Sequence, residues 1–110
     1  MNVLKDFSFF KNASTTIESN VLTNTNGSIL QLQISGDGTS FSVKVKGRVD
    51  VENDDYVTLS LIKESDLSKT STITSNNIYM CDVSGIQNIK LEITAISSGA
   101  INAFGRLLSD

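Results

Sequence analysis

A chain of 110 residues with a formal net charge of −3 makes one domain, large enough to bury about two-thirds of the surface its unfolded form exposes. It has no histidine and one cysteine, which excludes His-based acid–base chemistry, His metal ligands, a CxxC site and an intrachain disulfide. The mild acidity argues against a non-specific nucleic-acid partner, and no run of about 18 apolar residues is present to span a membrane.

Val, Ile and Leu supply 29 residues, enough for one sandwich core, while Ser, Thr and Asn supply 36 that suit strands and turns. Long runs of helix formers are missing. Proline is absent, so strand edges must be guarded by charge or burial. These features predict an all-β fold: a single-domain antiparallel β-sandwich, jelly-roll-like, of about eight strands. An immunoglobulin-like sandwich is the topological alternative, because order along the chain does not say which sheet each strand joins.

Residues 1–12 hold Phe7, Phe9 and Phe10, three of the five phenylalanines. Such apolar weight at a terminus is not left in water. The segment is either a first strand on its own core or an arm on a neighbouring subunit, and residues 13–110 form the sandwich. Ala13 to Thr25 reads as a weak strand carrying Ile17, Val21 and Leu22. Asn26-Gly27 then predicts a hairpin, since both residues tolerate the positive φ of a type I′ turn. Leu30, Leu32 and Ile34 alternate with Gln31 and Gln33, and Gly36-Asp37-Gly38 makes the next turn.

From Phe41 the alternation is cleanest. Phe41, Val43, Val45, Val49 and Val51 form an inward row opposite Ser42, Lys44, Lys46 and Arg48. Gly47 breaks that row and marks a bulge or a close backbone approach. The cationic row is a solvated face with anti-aggregation lysines. Asp50, Glu52, Asp54 and Asp55 crowd four carboxylates around a turn but lack the glycine and terminal glutamate of an EF-hand loop. No structural calcium, and no other metal, is expected there.

Tyr56 to Ile62 reads as one strand with Val57, Leu59 and Leu61 inward, Glu64 to Lys69 as a polar loop, and Ser71 to Thr74 as a short strand. Ile78 to Val83 is apolar on both faces, so it is either central in a sheet or covered by a partner. Cys81, inside it, is expected to be a buried and inert thiol. Asn88 to Ile96 places Ile89, Leu91, Ile93 and Ala95 on one face and Lys90, Glu92 and Thr94 on the other. In Ala100 to Leu108, Ile101, Ala103 and Leu107 share a face, with Asn102, Phe104 and Arg106 opposite. Phe104 beside Arg106 is an interface anchor, unless a bulge near Gly105 turns the ring into the core.

The stretch Ile78-Tyr79-Met80-Cys81-Asp82-Val83-Ser84-Gly85, followed by Asn88-Ile89-Lys90-Leu91-Glu92-Ile93 and closed by Gly105-Arg106-Leu107, resembles small β-sandwich accessory proteins. These are tail, baseplate, fibre or capsid-decoration components of tailed phages and prophages of Gram-positive bacteria. The same layout looks like the last strands of jelly-roll carbohydrate-binding modules. Those modules rely on exposed Trp or Tyr platforms, whereas this chain has no Trp and only Tyr56 and Tyr79.

The resemblance implies a non-catalytic particle component that is made in the bacterial cytoplasm and assembled into a virion or phage-like particle. It implies a homo-oligomer, a trimer by preference or a dimer, docking on other virion proteins without a cofactor. The candidate contact residues are Phe7, Phe9, Phe10, Tyr79, Phe104 and Arg106. A module binding a cell-surface glycan is the alternative.

Overall fold

Strict alternation of apolar and polar side chains buries one face of a strand and wets the other, and four strands follow this rule closely. In the computed structural model, which describes residues 1–109, β4 (Ile29–Gly36) buries Leu30, Leu32 and Ile34, and β5 (Ser42–Arg48) buries Val43 and Val45. Strand β10 (Asn88–Ala95) buries Ile89, Leu91 and Ile93, and β11 (Ile101–Ser109) buries Ile101, Ala103 and Leu107. Together these rows form most of the core, whose aromatic members are Phe9, Phe10, Phe41 and Tyr79.

Strands equally far from the two chain ends pair with one another, all antiparallel. β1 (Asn2–Ala13) pairs with β11, and both β2 (Ile17–Glu18) and β3 (Leu22–Thr23) pair with β10. β4 pairs with β9 (Asn77–Asp82), and β5 with β6 (Val57–Thr58). A folded-over ribbon rolled in this way is a jelly roll, and it sets the immunoglobulin-like order aside. The result is a six-stranded sheet, β1-β11-β4-β9-β7-β8, over a five-stranded one, β2-β10-β5-β6 with β3 also on β10. The expected count of about eight holds if β2 and β3 are one interrupted strand and the hairpin of β7 (Leu61–Lys63) and β8 (Lys69–Thr70) is an addition at the sheet edge.

Several local expectations are corrected. Asn26-Gly27 makes no type I′ hairpin: β3 and β4 lie in different sheets, and the positive-φ glycines are Gly36, Gly85 and Gly99. The crossing is instead held by buried Asn24, whose Oδ1 accepts the Gly27 N–H at 2.7 Å. Tyr56 to Ile62 is not one strand, because the chain leaves β6 in the smaller sheet and enters β7 in the larger one, leaving Val57 exposed. Val49 and Val51 lie beyond the end of β5 and are exposed as well. Gly47 does mark a close approach: a Cβ there would meet Ile86 Cγ2 at 2.8 Å and Leu59 Cδ1 at 3.0 Å.

A candidate interface on the outer face of the six-stranded sheet

Registers in the larger sheet place its outward side chains in rows that cross the strands. One row runs Ile78, Gln33, Phe104, Ser8, and the next runs Ile62, Met80, Gln31, Arg106, Asp6. Strand β9 lies between β4 and β7, so its inward side chains Tyr79 and Cys81 reach the core while Ile78 and Met80 face out. The two-faced apolar pattern of Ile78 to Val83 therefore reports a strand inside a sheet whose outer face carries apolar side chains among polar ones. Ile62, Ile78 and Phe104 are exposed there, Phe104 at 43%.

Three shallow cavities line this same face. One of about 130 Å³ lies between Gln31, Gln33, Ile78, Phe104 and Arg106. A cleft of about 320 Å³ is bounded by Ile29, Ile62, Met80, Cys81 and Asp82, and a third of about 220 Å³ lies on the Lys69 side of Ile62 and Met80. At the other end of the face Arg106 Nε donates to Asp6 Oδ1 at 2.9 Å, and this bond holds the Asp6 carboxyl below its usual range. The arrangement sets exposed apolar side chains between Gln31 and Gln33, with an exposed ion pair at one side, a mixture that suits a contact surface.

Of the six residues singled out in the sequence, only Phe104 and Arg106 stand on this face. The bulge that would have turned Phe104 inward lies elsewhere: β11 pairs with β4 without a shift from Ile101 to Leu108, whereas β1 pairs with β11 through three register shifts, one of them an extra residue between Ser8 and Phe10. That extra residue turns both Phe9 and Phe10 into the core, at 5% and 7% exposure, so neither is free to contact a partner. Phe7 is partly buried and meets Phe9 edge-on, with ring centroids 4.9 Å apart. Tyr79 is buried too, and its hydroxyl donates to the Ser75 carbonyl at 2.8 Å. Burial also pushes the Cys81 thiol up to about 11, with the Asp82 carboxylate adding to it.

The remaining features of the sequence resolve into local structure. Asp50 accepts from the Glu52 N–H and the Asn53 side chain, and Asp54 pairs with Arg48. Among the described residues no group of three or more His, Cys, Asp or Glu is placed to hold a metal. In the cationic row Lys46 pairs with Glu92 at 2.6 Å and Arg48 with Asp54 at 3.2 Å, and on the neighbouring β10 Lys90 pairs with Glu18 at 2.9 Å. Tyr56 lies under Lys90, 4.0 Å from its ring centroid, and Arg48, at 4.8 Å. With Tyr79 in the core and Tyr56 engaged by two cations, neither tyrosine offers a free platform for a sugar ring.

This geometry defines a small jelly-roll domain with exposed apolar side chains on the outer face of its larger sheet. A family model described as XepA matches residues 4–107, and the chain belongs to that family. Among solved structures it is similar to the SPBc2 prophage-derived protein YomS, at 22% identity and a TM-score of 0.86, over 96% of this chain and 92% of that one. It is also similar to the PBSX exported protein XepA, at 23% identity and a TM-score of 0.87, over 94% of this chain. The chain spans only 37% of the length of that XepA chain. A search of curated proteins finds no match.

Proposed function

We propose that this protein is a non-catalytic structural component of a phage-like particle, made in the bacterial cytoplasm, that self-associates and docks on other particle proteins. The observation that carries the reading is the set of outward apolar side chains Ile62, Met80, Ile78 and Phe104, spread over two neighbouring rows of the six-stranded sheet. Among the described residues no element covers these side chains, and burying each large apolar side chain is worth roughly 1.5–3 kcal/mol. Membership of the XepA family and the fold shared with prophage proteins support a phage-related role. Sedimentation equilibrium of the full chain at tens of micromolar tests it, with a small symmetric oligomer as the expected result. Phe104→Asp is expected to shift the protein toward a monomer that keeps its native fold by circular dichroism, because that side chain lies outside the core. A wild-type protein that stays monomeric would remove self-association from the reading.

A further inference from the structure

Asn26-Gly27 is the one Asn-Gly step in the chain, and it lies where β3 crosses to β4 in the other sheet. An asparagine before glycine is prone to modify itself, because no side chain shields the glycine nitrogen from the neighbouring amide and the backbone there is free to turn. Once its proton has gone to hydroxide, that nitrogen attacks the asparagine Cγ. The C–N bond that forms closes a succinimide ring, the Cγ–Nδ2 bond breaks, and ammonia leaves. Water then opens the ring at either carbonyl, giving aspartate or isoaspartate.

In the closed crossing this chemistry cannot start. Asn26 is exposed, but Gly27 is buried and its N–H donates to Asn24 Oδ1 at 2.7 Å. Asn24 is itself fixed by donating to the carbonyls of Gly27, Val83 and Ile86. Removing the Gly27 proton would leave a buried nitrogen anion against that oxygen, at a cost far above the same step in water. The peptide has little room to swing either. A Cβ on Gly27 would collide with Leu107 Cδ1 and lie 2.6 Å from Asn24 Oδ1. A cavity of about 240 Å³ beside Asn26, Gly27 and Gln87 brings solvent within reach, so the barrier is the Asn24 bond rather than access of water.

We propose that Asn26 is a deamidation site gated by Asn24: the closed crossing blocks the attack, an open crossing permits it, and the isoaspartyl product holds the crossing open. The last step follows from the length of the backbone. Isoaspartate routes the main chain through its own Cβ, one carbon longer than before, and drives Gly27 into space that Leu107 and Asn24 already fill. The bonds between Asn24 and Gly27 are then lost. Aspartate keeps the ordinary backbone and places its carboxylate in solvent, so that product closes as the parent does. A transient opening of the crossing thus becomes permanent in the molecules that take the isoaspartyl branch.

The test follows residue 26 by peptide mapping that separates asparagine, aspartate and isoaspartate, on the full-length protein in mildly alkaline buffer with and without denaturing urea. Deamidation of Asn26 is expected to be at least about a hundredfold slower in the native protein, because attack waits for a rarely populated open state. Hydrogen exchange of the Gly27 amide reports that same opening. The two protections are expected to agree within about threefold, and to fall together as urea rises below the unfolding transition. In Asn24→Ala both are expected to fall at least about tenfold; should that variant fail to fold, the wild-type comparison still decides. The isolated isoaspartyl protein is expected to lose protection at Gly27, which Asn26→Asp keeps. Native deamidation as fast as in urea, or well above the rate that Gly27 exchange allows, overturns the gate. An isoaspartyl form that protects Gly27 as wild type does overturns the one-way step.

Discussion

Asn24 joins parts of the chain that no strand pairing connects. Its side-chain N–H groups donate to the carbonyls of Gly27, Val83 and Ile86 at 3.2, 3.0 and 3.0 Å, and its Oδ1 accepts from Gly27. The residue is buried, so these carbonyls have little water to turn to if the amide is lost. Asn24→Ala is expected to cost about 2–4 kcal/mol, more than a surface polar change, because two loops and a sheet crossing lose one shared anchor. Asn24→Asp, nearly identical in shape, is expected to cost at least as much at neutral pH. Its carboxylate can only accept, and it would face carbonyls that also accept. Urea unfolding of both variants checks this. An aspartate variant as stable as wild type would mean that shape, not donation, holds the crossing.

The strand with the most unusual architecture is β1, an edge strand whose regular pairing is broken between Ser8 and Phe10. The extra residue lets two successive phenylalanines enter the core, and Gly105 on β11 makes the room for the first. A Cβ on Gly105 would lie 2.6 Å from Phe9 Cε2 and 3.2 Å from Leu30 Cδ1. Gly105→Ala is therefore expected to cost about 1–3 kcal/mol by overpacking. It should also speed hydrogen exchange along β1 more than along β10; equal effects on the two strands would show that Phe9 does not pin the edge. This explains what the sequence could and could not reveal. The alternation in β4, β5, β10 and β11 was readable because each has one buried and one wet face. Phe9 and Phe10 left open whether the segment is a first strand or an arm, because a bulge breaks the period of two and no local signal marks where it falls. Asn26-Gly27 and Tyr56 to Ile62 were misread for a different reason. Turn propensity and alternation are local, whereas crossing from one sheet to the other depends on what the distant strands β9 and β10 leave open. On the outer face, Phe104 with Arg106 was legible from spacing alone. Its continuation through Met80 to Ile62 depends on the order β4-β9-β7, which only the assembled sheet supplies.

In the assembled molecule the two ends of the chain meet. β1 lies along β11 with Asn2 opposite Ser109, so this pairing spans nearly the full sequence. The other ribbon pairs, β2 and β3 with β10 and β4 with β9, also join distant segments. Closing such loops costs chain entropy before any burial repays it, and all-β folds of this kind refold in about milliseconds to seconds. The usual cause of still slower phases is missing here: the chain contains no proline, so its unfolded state accumulates no X-Pro isomers. Refolding from urea at micromolar concentration is therefore expected to follow one exponential, slow for a chain this short, with no phase in the range of about 10–100 s. Interrupted unfolding sharpens the test, since holding the chain unfolded for seconds or for an hour should yield identical refolding traces. Any slower step that depends on protein concentration belongs to association and is expected to disappear in Phe104→Asp. A concentration-independent slow phase that grows with time spent unfolded would contradict the argument, and would place the kinetic barrier in the chain's own isomers rather than in bringing its two ends together.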